Sequence, residues 1–390
     1  MMKQFRGSYC SYFLMYFFYY LSLAMMQGLI SVYLMDRGYS ASQVSLTVSA
    51  SLAASVALQP VVGALSDRLD KRLVCGGLLA INGILSYVFP MLSAFPLLAA
   101  VYSLMIAGMN GTNPAVEQMA TVSRFPYGKI RVWGTIGYAV GTQVSGILYR
   151  YVSPGAMYQI CGMGMVLCMA GLLGTQDVTA EDRPEKAAAR DKEPGKGKMA
   201  FGKDFLWYLV ITGLFYGATN VNSTFLPSMF QEQGMTIDLA ATVIFAATLM
   251  EFPIVMFSGR LMDRMKNKTL LTAVFSLLVI QFAVYALVPF APVQAAAAFL
   301  TKSVATMAYI MINLKVIASI VDKRYQMTAL AVVAALKSLF TVGFQTVCGY
   351  LLDHGTYQRL YLLLLGVSVF GILLILASRI PDGTRERLFE

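Results

Sequence analysis

Apolar segments long enough to cross a membrane recur along almost the whole of this chain. A spanning helix needs about 20 predominantly apolar residues, and charges, glycines and prolines divide the sequence into twelve such segments. Of the 390 residues, 57% are hydrophobic and only 13% are charged, whereas soluble domains have about 25% charged residues. This composition excludes a soluble enzyme and a disordered chain, and it predicts an all-α membrane protein. The predicted segments are 8–34, 42–66, 73–93, 95–122, 127–152, 155–175, 204–231, 238–260, 269–289, 292–319, 326–353 and 357–379.

One hydrophilic stretch interrupts this series. Residues 176–203 are charged and contain glycine and proline, which is typical of a flexible linker. The linker divides the chain into two predicted bundles of six helices each, at residues 1–175 and 204–390.

The basic residues are distributed unequally between the two sides of the predicted membrane. The chain has 30 Lys and Arg residues against 20 Asp and Glu residues, and most of the basic ones lie in loops on the linker side. Cytoplasmic loops carry such an excess. We therefore expect a multi-pass protein of the plasma or inner membrane with both termini in the cytoplasm. The net charge of +10 then reports orientation and does not indicate a nucleic-acid partner.

A short phrase occurs twice, at equivalent points of the two halves. The first copy, Gly-Ala-Leu-Ser-Asp-Arg, occupies 63–68 after the second segment, and Gly-Arg-Leu-Met-Asp-Arg occupies 259–264 after the eighth. Internal repeats of this kind are typical of secondary transporters.

The two phrases resemble the loop signature of the major facilitator superfamily, and the resemblance covers all twelve segments. Within the first half, Asn-Pro-Ala-Val-Glu at 113–117 and Tyr-Gly-Lys-Ile-Arg-Val-Trp-Gly at 127–134 resemble the lactose permease branch. The second phrase is also similar to relatives that take up nucleosides or aromatic acids. The resemblance implies two six-helix bundles that work by alternating access, and a proton-coupled symporter instead of an enzyme.

In this family the repeated loop phrase forms a cytoplasmic gate. The resemblance implies that role for Asp67 and Arg68 in the first copy and for Asp263 and Arg264 in the second. The alternative is that these charges only set the topology.

Two acidic residues lie deep within predicted segments, where a charge usually faces a cavity or a partner. The first is Glu117, which shares a helical face with Asn113 four residues earlier. The resemblance implies that Glu117 and Arg131 bind substrate and that the ring of Tyr138 stacks on it. A guanidinium beside a carboxylate suits vicinal hydroxyls. A structural Glu117–Arg131 ion pair and a core tyrosine are the alternatives.

Further substrate-binding candidates are Asn113 in the fourth segment, Gln27 in the first, Asn220 in the seventh and Lys337 in the eleventh. The resemblance matches Lys302 and Lys337 to two lysines that aspartates of the seventh segment balance in the family. Here the seventh segment has amides and hydroxyls in place of those aspartates, so the proton relay of the family does not carry over.

The second deep acid is Glu251, and we expect Glu251 and Lys302 to carry proton coupling. A structural Glu–Lys pair is the alternative. Lys315 lies near the cytoplasmic end of its segment, and we expect its side chain to extend to the interface. The membrane-embedded charges then sum to one surplus positive charge, so that either a lysine is neutral or an anionic substrate completes the balance.

The sequence thus predicts proton-coupled uptake of a sugar, an oligosaccharide or a similar small polar solute. Uptake of a nucleoside or of an aromatic or sugar acid stays open, as do sodium coupling and a facilitator or drug exporter of the same fold. We expect a monomer in the lipid bilayer whose partners are the solute and the proton, with no cofactor.

Overall fold

The computed structural model describes residues 6–176, 202–254, 265–321, 325–378 and 380–381. Within these residues the secondary structure is helical and no β-strand occurs, which confirms the all-α prediction. The α-helices are α1 (Tyr9–Gln27), α2 (Ile30–Asp36), α3 (Ala41–Arg68), α4 (Lys71–Val88), α5 (Phe95–Thr121), α6 (Tyr127–Tyr151), α7 (Ala156–Leu173), α8 (Lys203–Glu232), α9 (Ile237–Leu249), α10 (Asn267–Leu287), α11 (Ala291–Ala297), α12 (Ser303–Ile320), α13 (Gln326–Asp353) and α14 (Tyr357–Ala377).

Every predicted segment contains at least one of these helices. Helices α1 and α2 share the first segment, while α11, a π-helical turn at Ala298–Lys302 and α12 share the tenth. Among the described residues, ten helical stretches are long and apolar enough to cross a membrane. Helices α6 and α8 are not among the ten, although they have 25 and 30 residues. Both contain many hydroxyl-bearing residues, α6 is also rich in glycine, and the two helices carry several of the predicted site residues.

The chain forms two compact units. The first comprises Met1–Met26, Ala54–Gly141 and Gly155–Ala200, and the second comprises Gln27–Ala53, Thr142–Pro154 and Phe201–Glu390. The second unit therefore includes short segments from the first half of the chain. The predicted division into bundles at 1–175 and 204–390 stays a prediction.

In the first unit, glycines allow α6 to approach α1 closely. A Cβ atom added at Gly137 would lie 2.3 Å from the carbonyl oxygen of Phe17, and one at Gly141 would lie 2.5 Å from that of Leu21. Larger side chains at these positions would push the two helices apart. The spacing of four residues is the small-residue pattern of closely packed membrane helices.

In the second unit, polar contacts join the segments from the first half of the chain to helices of the second half. Arg150 at the end of α6 forms an ion pair of 2.5 Å with Asp238 in the first turn of α9. The Asp353 carboxylate accepts bonds of 2.6 and 3.1 Å from the backbone N–H groups of Ala41 and Ser42. These groups begin α3, whose free N–H groups and dipole favour an anion.

Asp36 adds a third contact of this kind. Its two carboxylate oxygens accept a bond of 2.5 Å from the hydroxyl of Tyr149 and one of 3.0 Å from the amide of Gln231. Asp36 ends α2, Tyr149 lies in the last turn of α6 and Gln231 lies in the last turn of α8. The three contacts lie at helix ends that the chain order places on the side opposite the linker.

Candidate functional site

A network of polar side chains surrounds Glu117 in the first unit. The Arg131 guanidinium Nη1 lies 3.0 Å from Glu117 Oε1, and the hydroxyl of Tyr20 donates to the same oxygen at 2.8 Å. The hydroxyl of Tyr127 donates to Oε2 at 2.6 Å. Both carboxylate oxygens are therefore bound, and the structure brings together the predicted pair Glu117 and Arg131.

Tyr20 is the centre of this network. Its hydroxyl accepts a bond of 2.7 Å from Arg131 Nη1 and one of 3.3 Å from the amide of Asn113. The Arg131 guanidinium also lies over the ring of Tyr20, with 5.2 Å from Cζ to the ring centroid. Asn113, Glu117 and Arg131 therefore meet at one phenol, which was not among the predicted site residues.

The helices position these groups through their periodicity. Asn113 and Glu117 lie one turn apart on α5, and Arg131 lies in the second turn of α6. The side chains of Arg131 and Glu117 stay 43% and 27% exposed. The bonds that Arg131 makes to Tyr20 and Glu117 both use Nη1. An exposed fork of donors beside a carboxylate can bind neighbouring hydroxyls of one molecule.

The contacts described for this network do not include Tyr138 or Gln27, which are also predicted to bind substrate. Tyr138 lies two turns beyond Arg131 on α6 and is half-buried. Gln27 is the last residue of α1, is half-buried and belongs to the second unit. Their predicted roles stay predictions.

Asn220 belongs to a second polar cluster, in the second unit. The amide nitrogen of Gln345 on α13 donates to Asn220 Oδ1 at 2.8 Å and to the hydroxyl of Thr224 at 2.7 Å. Ser45 on α3 donates to Gln345 Oε1 at 3.4 Å. Gln345 is fully buried, so this amide joins α8, α13 and α3.

Lys337 lies two turns before Gln345 on α13. Its ammonium lies 4.6 Å from the ring centroid of Tyr216, which precedes Asn220 by one turn of α8. The contact is a cation–π interaction.

Glu251 and Lys302, the predicted coupling pair, attract each other electrostatically. Glu251 lies in the candidate span Ile237–Ile254. Lys302 ends the π-helical turn at Ala298–Lys302, which packs against α9. Such turns are frequent at functional sites.

The prediction for Lys315 stays a prediction. Its side chain is fully buried and donates a bond of 2.8 Å to the backbone carbonyl of Met265, which lies in the loop before α10. Lys315 packs in the interior of the second unit because that carbonyl, directly before α10, offers it an acceptor.

The gating prediction lies largely outside the described residues. Asp263 and Arg264 are not described, and neither is the side chain of Asp67. Arg68 is exposed and ends α3.

Sequence reasoning missed Tyr20, Tyr127 and Gln345. Tyr127 opens the recognised phrase at 127–134, which is a signal that could have identified it. Tyr20 belongs to an aromatic run in a chain with 22 tyrosines, and Gln345 is one amide in an apolar helix. No periodic sequence pattern marks either residue, because the hydrogen-bond partners of each side chain are determined by tertiary packing.

Comparisons with known proteins agree with this fold. The family model described as Major Facilitator Superfamily matches residues 12–335. The lactose permease of Citrobacter freundii is 25% identical over 239 residues, which cover 56% of this chain and 57% of that relative. The maltose permease of Geobacillus stearothermophilus is 24% identical over 394 residues, with 96% of both chains covered.

Two solved structures share the architecture at low sequence identity. A point mutant of the nucleoside transporter NupG aligns with a TM-score of 0.80 and 12% identity, covering 95% of this chain and 99% of that one. A D-xylose-proton symporter aligns with a TM-score of 0.70 and 14% identity, covering 97% and 98%. With its helical membrane spans and the family match over most of its length, the chain belongs to the major facilitator superfamily and is a membrane transporter.

Proposed function

We propose that this protein is a proton-coupled symporter that takes up a sugar, an oligosaccharide or a similar hydroxyl-rich solute by alternating access. The observation that carries the proposal is the network of Glu117, Arg131, Tyr20 and Tyr127. A carboxylate and a guanidinium held 3.0 Å apart present an acceptor and a donor to adjacent hydroxyls.

The solute would enter this network by exchanging bonds. Tyr127 is 39% exposed, so its bond to Glu117 Oε2 is the contact that a solute hydroxyl can replace at the least cost. Tyr20 is more enclosed and bonds to Glu117 and Arg131 at once. Tyr20 would therefore hold the pair in place while the solute binds.

Glu251 and Lys302 would carry the proton. Protonation of Glu251 would remove its attraction for Lys302 and weaken the contact between the α9 span and the π-helical turn. A charge change at that contact would therefore alter the packing of two spanning segments, which is a requirement for coupling.

The named relatives support the solute class. Two are a lactose permease and a maltose permease, and one fold neighbour is a D-xylose-proton symporter. A nucleoside is the second candidate, because ribose also has adjacent hydroxyls and the nucleoside transporter NupG shares the fold. We place the protein in the plasma or inner membrane as a monomer, with the termini in the cytoplasm.

The test is solute-induced alkalinisation of a lightly buffered suspension of proteoliposomes. We expect one class among neutral sugars, nucleosides and acidic sugars to raise the external pH on addition. In Glu251→Gln we expect solute counterflow to persist while uphill uptake is lost. Uptake that does not respond to the proton gradient would contradict symport, and full uphill uptake by Glu251→Gln would exclude this acid as the proton carrier.

A further inference from the structure

Lys337 differs from Arg131 and Lys302 in its surroundings. Arg131 has Glu117, and Lys302 has Glu251. Lys337 lies near the middle of the 28-residue helix α13, and its described contact is the ring of Tyr216. No carboxylate pairs with it in the part of the chain that the structure describes. A charge at this depth is costly unless an opposite charge or water compensates it.

The residues around Lys337 form two matching polar stripes. On α13, Lys337, Thr341 and Gln345 follow one another at intervals of one turn, and on α8 Tyr216, Asn220 and Thr224 do the same. Lys337 contacts Tyr216, and Gln345 contacts Asn220 and Thr224. The two stripes therefore face each other along the helix pair.

Two donor groups in these stripes have no oxygen partner among the described residues. Gln345 is buried, and its nitrogen and its oxygen both have partners. Asn220 accepts through Oδ1, and its NH₂ group makes no bond among the described residues. The three N–H donors of Lys337 face an aromatic ring instead of an oxygen. Donors without an acceptor, one of them positively charged, are suited to a ligand that has acceptor atoms and a negative charge.

We propose that Lys337 binds a carboxylate of the transported solute and that the amide of Asn220 is the second donor. Tyr216 holds the ammonium in position by its ring face. The inference rests on the proposed function, which assigns a hydroxyl-rich solute, and it narrows the class to sugar acids with one carboxylate. The single positive charge of Lys337 matches a monoanion, whereas a sugar phosphate carries about two negative charges at neutral pH.

The experiment compares two solutes that differ in one group, galactose and galacturonate, in proteoliposomes of the full-length protein. Each is measured by radiolabelled uptake and by the alkalinisation that it induces. We expect the wild type to have an apparent affinity at least about tenfold higher for galacturonate, the size of one charge-assisted hydrogen bond.

The variants locate this preference. We expect Lys337→Gln to lower the apparent affinity for galacturonate at least about tenfold more than the apparent affinity for galactose. Lys337→Arg keeps the charge and retains the preference for the acid. Circular dichroism and the elution profile in detergent show whether each variant folds. The comparison of galactose with galacturonate in the wild type does not depend on any variant.

The outcomes separate the inference from the function on which it rests. The inference is overturned if the wild type has the same apparent affinity for the two solutes, or if Lys337→Gln lowers both apparent affinities equally. Neither result contradicts proton-coupled symport. Absence of proton-linked flux with every solute class overturns the proposed function itself. Preference for galactose 1-phosphate over galacturonate overturns the monoanion assignment. If galactose uptake by the wild type requires chloride and this uptake is lost in Lys337→Gln, the assignment of the lysine to a solute carboxylate is wrong.

Discussion

At the scale of single residues, the site around Glu117 depends on phenols. Tyr20 and Tyr127 each donate to a different carboxylate oxygen, and Tyr20 also accepts from Arg131. The pair Glu117–Arg131 could be predicted from the sequence, because acids deep in apolar segments are rare and the phrase around Arg131 is specific. The phenols could not, because a tyrosine in an aromatic run has no pattern that distinguishes a polar contact from core packing.

Tyr127→Phe tests the role of the exposed phenol. The substitution removes one hydrogen bond to a carboxylate and keeps the ring, so we expect the apparent affinity for solute to change by about tenfold or less while the protein stays folded. A fall would mean that Tyr127 pre-positions Glu117, and a rise would mean that it competes with the solute. The measurement is the concentration dependence of initial uptake rates.

Tyr87→Phe is the matched control. Tyr87 lies on α4, is 55% exposed and has no hydrogen bond in the described structure. It should leave the affinity unchanged. If Tyr127→Phe behaves like this control, its bond to Glu117 is irrelevant to binding.

At the scale of elements, the contact between α1 and α6 sets the geometry of the same site. Tyr20 belongs to α1 and Arg131 to α6, so their bond requires the close approach at Gly137 and Gly141. The spacing of these glycines was visible in the sequence. Which helix they face was not, because a stripe of small residues does not identify its partner.

Gly137→Val should separate these helices. The added side chain meets the Phe17 carbonyl at a distance that no real Cβ contact has, so we expect a lower thermal transition in detergent and at least about a tenfold loss of uptake. The control is Gly366→Val on α14, where an added Cβ has no neighbour within 4 Å. A stable, active Gly137→Val protein would show that the close approach does not matter.

At the scale of the whole molecule, segments from both halves of the chain build the second unit. The ion pair Arg150–Asp238, the bonds from Asp353 to the start of α3 and the contacts of Asp36 connect these segments. The apolar pattern indicated twelve separate segments and a boundary in the linker. It carried no information on these contacts, because they pair helix ends that are far apart in the chain.

Asp238→Arg tests whether the Arg150–Asp238 pair limits the access of reagents to buried residues of the second unit. The variant places two arginines together. We expect a cysteine introduced at buried Ser45 to react up to about fivefold faster with a charged thiol reagent, and no more than that because an exposed ion pair contributes little to stability. The reference is Ser45→Cys alone in a background without the native cysteines. Adding Arg150→Asp exchanges the two charges and should restore the slow rate. Equal rates in all three proteins would show that the pair does not limit access.

The low hydropathy of α6 and α8 has a consequence for synthesis. A translocon inserts helices largely according to their apolar content, and a charged residue such as Arg131 opposes insertion. These two helices should therefore fail to insert when isolated in a reporter protein that scores insertion by glycosylation. Helix α6 should insert once α5 precedes it, because Glu117 then provides its charged partner. The residues that would handle the solute thus make these helices depend on their neighbours during biogenesis.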